Sequence, residues 1–322
     1  MIIDVHAHIV DASYLEELKT LLGLTVTHEN DGAVFLKHKG STVAWYRDSF
    51  FSVEERLRVM DAQGVDMRLL SLSSPSVYDW DEANQIRMAR HINDAIARAC
   101  RAHPDRFRGL ATLPMANIEA CVRELNRVTA EPLFVGIAIG SHIAGMPLND
   151  PKLDPFWQIV SERGLPVVEH PMAPLGADHM NEFELPIRVG FVYETTTAAT
   201  RMIYGGVFER YPNIKLVLPH TGGTLLPLLQ RLDNGYRIFP DCRKNITKLP
   251  SEYAKNLYYD TCSFYTPMLE MARSIIGTGQ LLFGSDEPFI CADTSHVTKL
   301  DWPEQDTRNI LGENARNLFK IK

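Results

Sequence analysis

Ile2-Ile3-Asp4-Val5-His6-Ala7-His8-Ile9-Val10 is the stretch on which the reading of the whole chain turns. An apolar run of this kind is a buried strand, and it ends in two histidines two residues apart, whose side chains leave one face of a strand together. A doubly wound open sheet would carry a glycine-rich phosphate loop after an early strand. Histidines stand in that place instead. Working outward, seven more short apolar runs follow: Met67 to Leu72, Phe107 to Leu113, Phe134 to Ile139, Pro166 to His170, Ile214 to Leu218, Leu257 to Asp260 and Gln280 to Gly284. Each is rich in Val, Ile, Leu or Phe, as strands buried on both faces are, and helical patterns fill most of the gaps. Eight such units predict a closed parallel (β/α)8 barrel, the TIM barrel, as one domain over residues 1–322.

The helical stretches carry their own start and stop signals. Ser52-Val53-Glu54-Glu55 has the spacing of a capping box, and Gly64 ends the pattern behind it. Asp81 to His103 reads as a long amphipathic helix stopped by Pro104, and Glu119 to Val128 as another. Residues 9–51 break the alternation. They are read as a small insertion after the first strand that roofs the barrel mouth, with a hairpin from Leu24 to Trp45 turning at Asn30-Asp31-Gly32.

Bulk properties narrow the partners. With 45% hydrophobic and 23% charged residues over 322, the chain can bury a large core. A formal charge of -7 argues against nucleic acid, which demands a basic face. A small-molecule partner is expected. The five cysteines lack CxxC spacing and are odd in number, which fits reduced thiols and a cytoplasmic protein better than a disulfide framework. No apolar run has the length of a membrane span, and no signal peptide is read at the start.

In a barrel, catalytic groups gather where the strands end. The fifth run ends in Glu169-His170-Pro171, the sixth in Pro219-His220-Thr221-Gly222-Gly223 and the eighth in Ser285-Asp286-Glu287-Pro288. Taken singly, His170, His220 and Asp286 each read more readily as hydrogen-bonded core or turn residues than as ligands, and it is their joint occurrence that reverses this. Together with His6 and His8 they put four imidazoles and a carboxylate at one mouth. Neutral imidazoles suit zinc, and a carboxylate completes a shell that leaves a position for water, whose pKa falls towards roughly 7 on the ion. His220 could act as general acid or base. Asp4 has the parity of His6 and His8 and is expected as a buried hydrogen-bond partner, whereas Glu169 should face outward. His142 can face the mouth; His28, His38, His91, His103, His179 and His296 are read as structural or solvated. Phe134 to Gly140 contains no Lys, Glu or Cys to bridge a second ion, so one metal is favoured.

The stretches IIDVHAHIV, FRGLATLPM, GGVFERYPNIKLVLPHTGG, FGSDEPF and ILGENARNLFKI resemble, over the whole chain, the amidohydrolase superfamily. The resemblance is to the branch containing 2-amino-3-carboxymuconate-6-semialdehyde decarboxylase and γ-resorcylate decarboxylase. It implies a single divalent ion, zinc first and manganese second, on His6, His8, His170 and Asp286, with His220 catalytic and Asp286 able to pass a proton. The implied reaction is decarboxylation of an unsaturated or aromatic carboxylic acid. It further implies that Arg47 binds a substrate carboxylate and assists catalysis, that Arg231 and Phe289 contact substrate, and that the enzyme is a homodimer in which an arginine enters the neighbouring site. The pattern departs at a second family arginine, which falls on Phe239, with Arg237 or Arg243 as candidates to replace it. It departs again at an aromatic gate, which falls near Ile187 and Arg188. A hydrolase or hydratase acting on a lactone or dicarboxylate is the alternative on the same barrel. A non-catalytic module with a structural ion is a third.

Overall fold

The computed structural model describes residues 1–38 and 41–322. Eight parallel strands form one sheet in chain order: Ile3–Ile9, Met67–Leu72, Phe107–Thr112, Phe134–Gly140, Pro166–His170, Lys215–Leu218, Tyr258–Asp260 and Leu281–Leu282. All eight coincide with the apolar runs of the sequence. The sheet closes on itself through backbone hydrogen bonds between its first strand and the segment after its last. Val5 N–H donates to Phe283 O at 2.9 Å, Asp286 N–H to His6 O at 2.9 Å, and His8 N–H to Glu287 O at 2.7 Å. The result is the expected (β/α)8 barrel with an insertion after its first strand.

Period-two alternation sorts the strand side chains into two apolar layers. One gathers Val5, Met67, Leu69, Leu110, Ala138, Val168, Val217 and Leu282 with Ala315, Leu318 and Phe319, so the C-terminal helix Asn314–Phe319 plugs the barrel end opposite the histidines. The other holds Ala7, Leu70, Ala111, Ile137, Val167, Leu216 and Leu281 against the surrounding helices. Val5 and Ala7 fall in different layers although two residues apart. A register shift between Asp4 and Ala7 in the pairing with the second strand accounts for this, so simple parity fails there.

Helix ends follow their sequence signals. Ser52 caps Val53–Gln63 by accepting from Glu55 N–H at 3.1 Å, and Gly64 ends it at φ 68°. Asp81 caps Glu82–Ala102, and Asn117 caps Ile118–Thr129. Within the insertion, the expected hairpin is one strand short of the structure. Thr25–His28 pairs with Val34–His38 across the expected turn, but Ser41–Tyr46 returns alongside to make three antiparallel strands. A lone hairpin buries too little to hold itself, and the third strand supplies the partner. Residues 39 and 40 of the expected hairpin lie outside the described residues. The preceding helix Ala12–Leu22, capped by Asp11, was not assigned from the sequence. Among the described residues no helix is long and apolar enough to cross a membrane.

Candidate metal centre

His6 and His8 leave the first strand at the mouth and meet His170 from the end of the fifth. Their ring centroids lie 4.9 Å apart for His6 and His8, 4.8 Å for His8 and His170, and 5.5 Å for His6 and His170. One nitrogen from each falls within 4.8 Å of the others. Asp286, carried by the segment that closes the barrel, places Oδ1 3.5 Å from Nε2 of both His6 and His8.

The far side of each ring fixes which nitrogen is bare. His6 Nδ1–H donates to Asp260 Oδ2 at 2.6 Å and His170 Nδ1–H to Pro171 O at 3.1 Å. Ser71 Oγ sends its own proton to Ala7 O, at 3.2 Å, and so accepts from His8 Nδ1–H at 3.0 Å. With Nδ1 engaged, all three histidines turn Nε2 inward, the nitrogen that an ion would take. His6 Nε2 and His8 Nε2 are buried without a hydrogen-bond partner among the described residues. Orphaned buried ring nitrogens of this kind are costly unless a partner such as a cation or water meets them. Three imidazoles and one carboxylate around a point fit a divalent transition ion.

The electrostatics agree. Burial, then the neighbouring imidazoles of His6 and His220, keep His8 well below the ordinary histidine value; burial, then His8 and His6, do the same to His170. Both are neutral and able to ligate. For His6, burial pulls the other way, but Asp260, Asp286 and Asp4 outweigh it and raise it to about 9. A proton is thus held where a divalent cation would displace it. Burial raises the Asp286 carboxyl, against the charges of His6, His220 and Arg188.

His220 stands beside this group, its ring centroid 5.3 Å from His6 and 6.2 Å from His170. Its Nδ1 is buried without a partner among the described residues. Burial, then the charge of His6, lowers its pKa. His220, Thr221 and Asp286 all adopt positive φ, at 52°, 55° and 55°, a strain of roughly 1–3 kcal/mol each that is characteristic of functional sites. Gly223 makes the turn after His220 feasible. At φ 62°, a Cβ there would sit 2.5 Å from Val192 O.

Asp260 was missed from the sequence. It ends the seventh strand, the same position on the barrel that flagged the other residues, but that strand holds no histidine to draw attention to it. Fully buried, its carboxylate also accepts Thr221 N–H at 3.1 Å and Cys262 N–H at 2.9 Å. A second missed group underlies the site. Arg56 donates to Glu287 at 2.6 Å and to His8 O at 2.8 Å, while Arg68 donates to Asp4 at 3.1 Å and approaches Glu287 at 3.6 Å. Asp4 is the buried partner the sequence suggested, yet it serves the His6 backbone N–H, Ser285 and Arg68 rather than the imidazoles.

Of the remaining expected residues, Phe289 is drawn to the site. Its ring lies 5.6 Å from His8, with Trp45 and Phe50 of the insertion at 5.9 and 6.1 Å from it, so the insertion does roof the mouth. Arg47 is not brought to the histidines: both Nη atoms engage Asp31 in the insertion turn. Arg231 lines an open groove of about 640 Å³ with Tyr193, Arg201, Ile238 and Phe239, between helices Phe191–Tyr204 and Leu225–Ile238. Arg237 donates to Asn234, and Arg243 to backbone carbonyls of Tyr236 and Arg237. His142 is occupied on both nitrogens by backbone groups of Ala173 and Gly145. Glu169 does face outward, towards Thr195 and Glu194, and burial raises it to about 8.

The amidohydrolase family model matches residues 3–321. The chain is 28% identical over 323 residues to 2-amino-3-carboxymuconate-6-semialdehyde decarboxylase of Dictyostelium discoideum, covering 97% of this chain and 90% of that protein. The structure of 5-carboxyvanillate decarboxylase from Sphingomonas paucimobilis superposes with a TM-score of 0.87 at 27% identity, covering 100% of this chain and 99% of that one. Dihydroxybenzoic acid decarboxylase from Polaromonas sp., with bound manganese and the inhibitor 2-nitroresorcinol, superposes with a TM-score of 0.79 at 26% identity, covering 99% and 97%. With the family matched from the first strand to the plug helix, the chain belongs to the amidohydrolases.

Proposed function

We propose that the protein is a metal-dependent decarboxylase of an unsaturated or aromatic carboxylic acid, working as one barrel domain over residues 1–322 with its 9–51 insertion as roof. The observation that carries the reading is the pairing of a three-imidazole, one-carboxylate centre with a neutral His220, whose Nδ1 has no partner among the described residues, beneath the Trp45, Phe50 and Phe289 rings. The activities named for the similar proteins above favour decarboxylation over hydrolysis or hydration.

His6, His8, His170 and Asp286 would hold the divalent ion, which would supply fixed positive charge to stabilise negative charge on the substrate. Zinc is favoured by the imidazole-rich donor set, with manganese the second candidate. Phe289 stacks along the substrate plane. His220, kept neutral by burial, takes a proton from the substrate and delivers it to the carbon that bears the carboxylate. Asp286 faces the same point and is a second proton carrier. The carbon–carboxylate bond then breaks, its electron pair returns to the unsaturated system of the substrate, and CO2 leaves. One solvent proton is consumed overall.

The groove beside Arg231 exposes Tyr193, Ile238 and Phe239, which supports a homodimer, and the free cysteines support a cytoplasmic setting. Arg47 would reach substrate only after releasing Asp31. The test is product analysis with metal-loaded protein on a panel of unsaturated and aromatic acids. Stoichiometric CO2 is the expected outcome; uptake of labelled oxygen without CO2 would replace the reading with a hydrolase or hydratase.

A further inference from the structure

We infer that Arg188 is the counter-ion for a second, non-reacting anionic group of the substrate, so that the acid taken by this site is a dianion. This deepens the decarboxylase reading and rests on it for the location of the substrate.

Arg188 lies in the single turn Pro186–Gly190, directly ahead of helix Phe191–Tyr204. Phe191 sits with its ring 6.0 Å from that of His170, so the turn borders the metal centre. The turn has a fixed base. Glu184 accepts both Thr42 N–H and Thr42 Oγ1–H, at 3.1 and 3.0 Å, and a Cβ on Gly190 would sit 2.5 Å from Pro174 Cγ. From this base the Arg188 side chain is exposed and makes no hydrogen bond or ion pair among the described residues. Its charge nonetheless reaches Asp286.

Among the described residues, the other arginines near the mouth are committed. Arg47 is neutralised by Asp31, Arg56 by Glu287, and Arg68 by Asp4. Arg188 is thus the guanidinium that can meet an incoming anion without giving up a partner, and its planar fork suits a carboxylate. The anion it meets should not be the departing one. A guanidinium on that carboxylate would stabilise the ionised ground state and oppose its conversion to neutral CO2. A group that keeps its charge throughout the reaction loses nothing there.

The experiment is equilibrium binding, by calorimetry on metal-loaded protein, of benzene-1,3-dicarboxylate and of benzoate to the parent, Arg188→Met and Arg188→Lys. Losing one charge-assisted hydrogen-bonding group should weaken the dicarboxylate by about 10- to 100-fold in Arg188→Met, with partial retention in Arg188→Lys and benzoate altered by less than about twofold. Equal weakening of both acids, no weakening of either, or a parent that does not prefer the dicarboxylate overturns the assignment. Binding is read without turnover. If no acid yields CO2 but the Arg188-dependent preference persists, the decarboxylase reading fails and the anion site stands.

Discussion

The Asp260 carboxylate and the His6 imidazole are joined by a 2.6 Å hydrogen bond between side chains that are each at most 3% exposed. This bond selects the His6 tautomer and raises its basicity, the role that carboxylates play behind metal-binding histidines. Asp260→Ala should weaken zinc or manganese binding by about 10- to 100-fold, read by competition with a chelator of known affinity. An unchanged affinity would detach Asp260 from the metal centre.

His220→Asn should keep one ion per chain while turnover falls by about 10²- to 10⁴-fold, the range for loss of a general acid–base group. Its pKa lies below the ordinary 6.5, so the neutral, proton-accepting form persists into acid. The acid limb of the parent's kcat profile should therefore fall below pH 6.5 and be absent from the residual activity of the variant. Full turnover in the variant would remove His220 from the mechanism.

Arg68 is inaccessible to solvent and serves Asp4, Glu287 and Gln63 at once. Arg68→Met removes the cation from buried Asp4 and leaves Glu287 with Arg56 alone, and denaturant unfolding should register a loss of about 3–5 kcal/mol. Arg58→Met, which breaks an exposed pair with Glu55, should change little. Comparable effects of the two would contradict the burial argument.

Glu169 gives a pH signature. Its carboxyl is raised from 4.5 to about 8, chiefly by burial, against the opposing hydrogen bond of Thr195 and with a lesser push from the charge of Glu194. Between those values the folded chain keeps a proton that the unfolded chain has released, so this residue makes stability fall as pH rises through the window. Glu169→Gln removes the liability. In metal-free protein, the Tm of the variant relative to the parent should climb from pH 5 to pH 8. A flat difference would place the ionised carboxylate in a better-solvated position than its surroundings suggest.

The barrel was legible because buried parallel strands are written as short apolar runs, and these eight are bounded by recognisable caps. His6, His8, His170, His220 and Asp286 were legible because strand ends of a barrel converge on one mouth. Asp260 shares that convergence but carries its signal in a single acidic residue of a common type. The pairing of Arg47 with Asp31 could not be read, since it depends on how the insertion folds back on itself. Asp4 illustrates the limit of parity: the register shift before Ala7 separates Val5 from Ala7 and turns the Asp4 carboxylate to Arg68 and Ser285. The free guanidinium of Arg188 stands out only because, among the described residues, Arg47, Arg56 and Arg68 each pair with a carboxylate.

The seam that closes the barrel, from Val5–Phe283 to His8–Glu287, also brings Asp286 against His6 and His8. Its bonds join residues as far apart as Asp4 and Ser285, 281 positions along the chain. On the ribosome, the two N-terminal histidines are exposed long before their carboxylate partner has been made. A stray ion captured early would find only part of its shell, and full affinity would arrive with the last strand. Under the proposed ligand set, the metal shell could be completed only once the eighth strand and the segment after it have been made, and the ion would then act as a clasp on an already assembled cylinder.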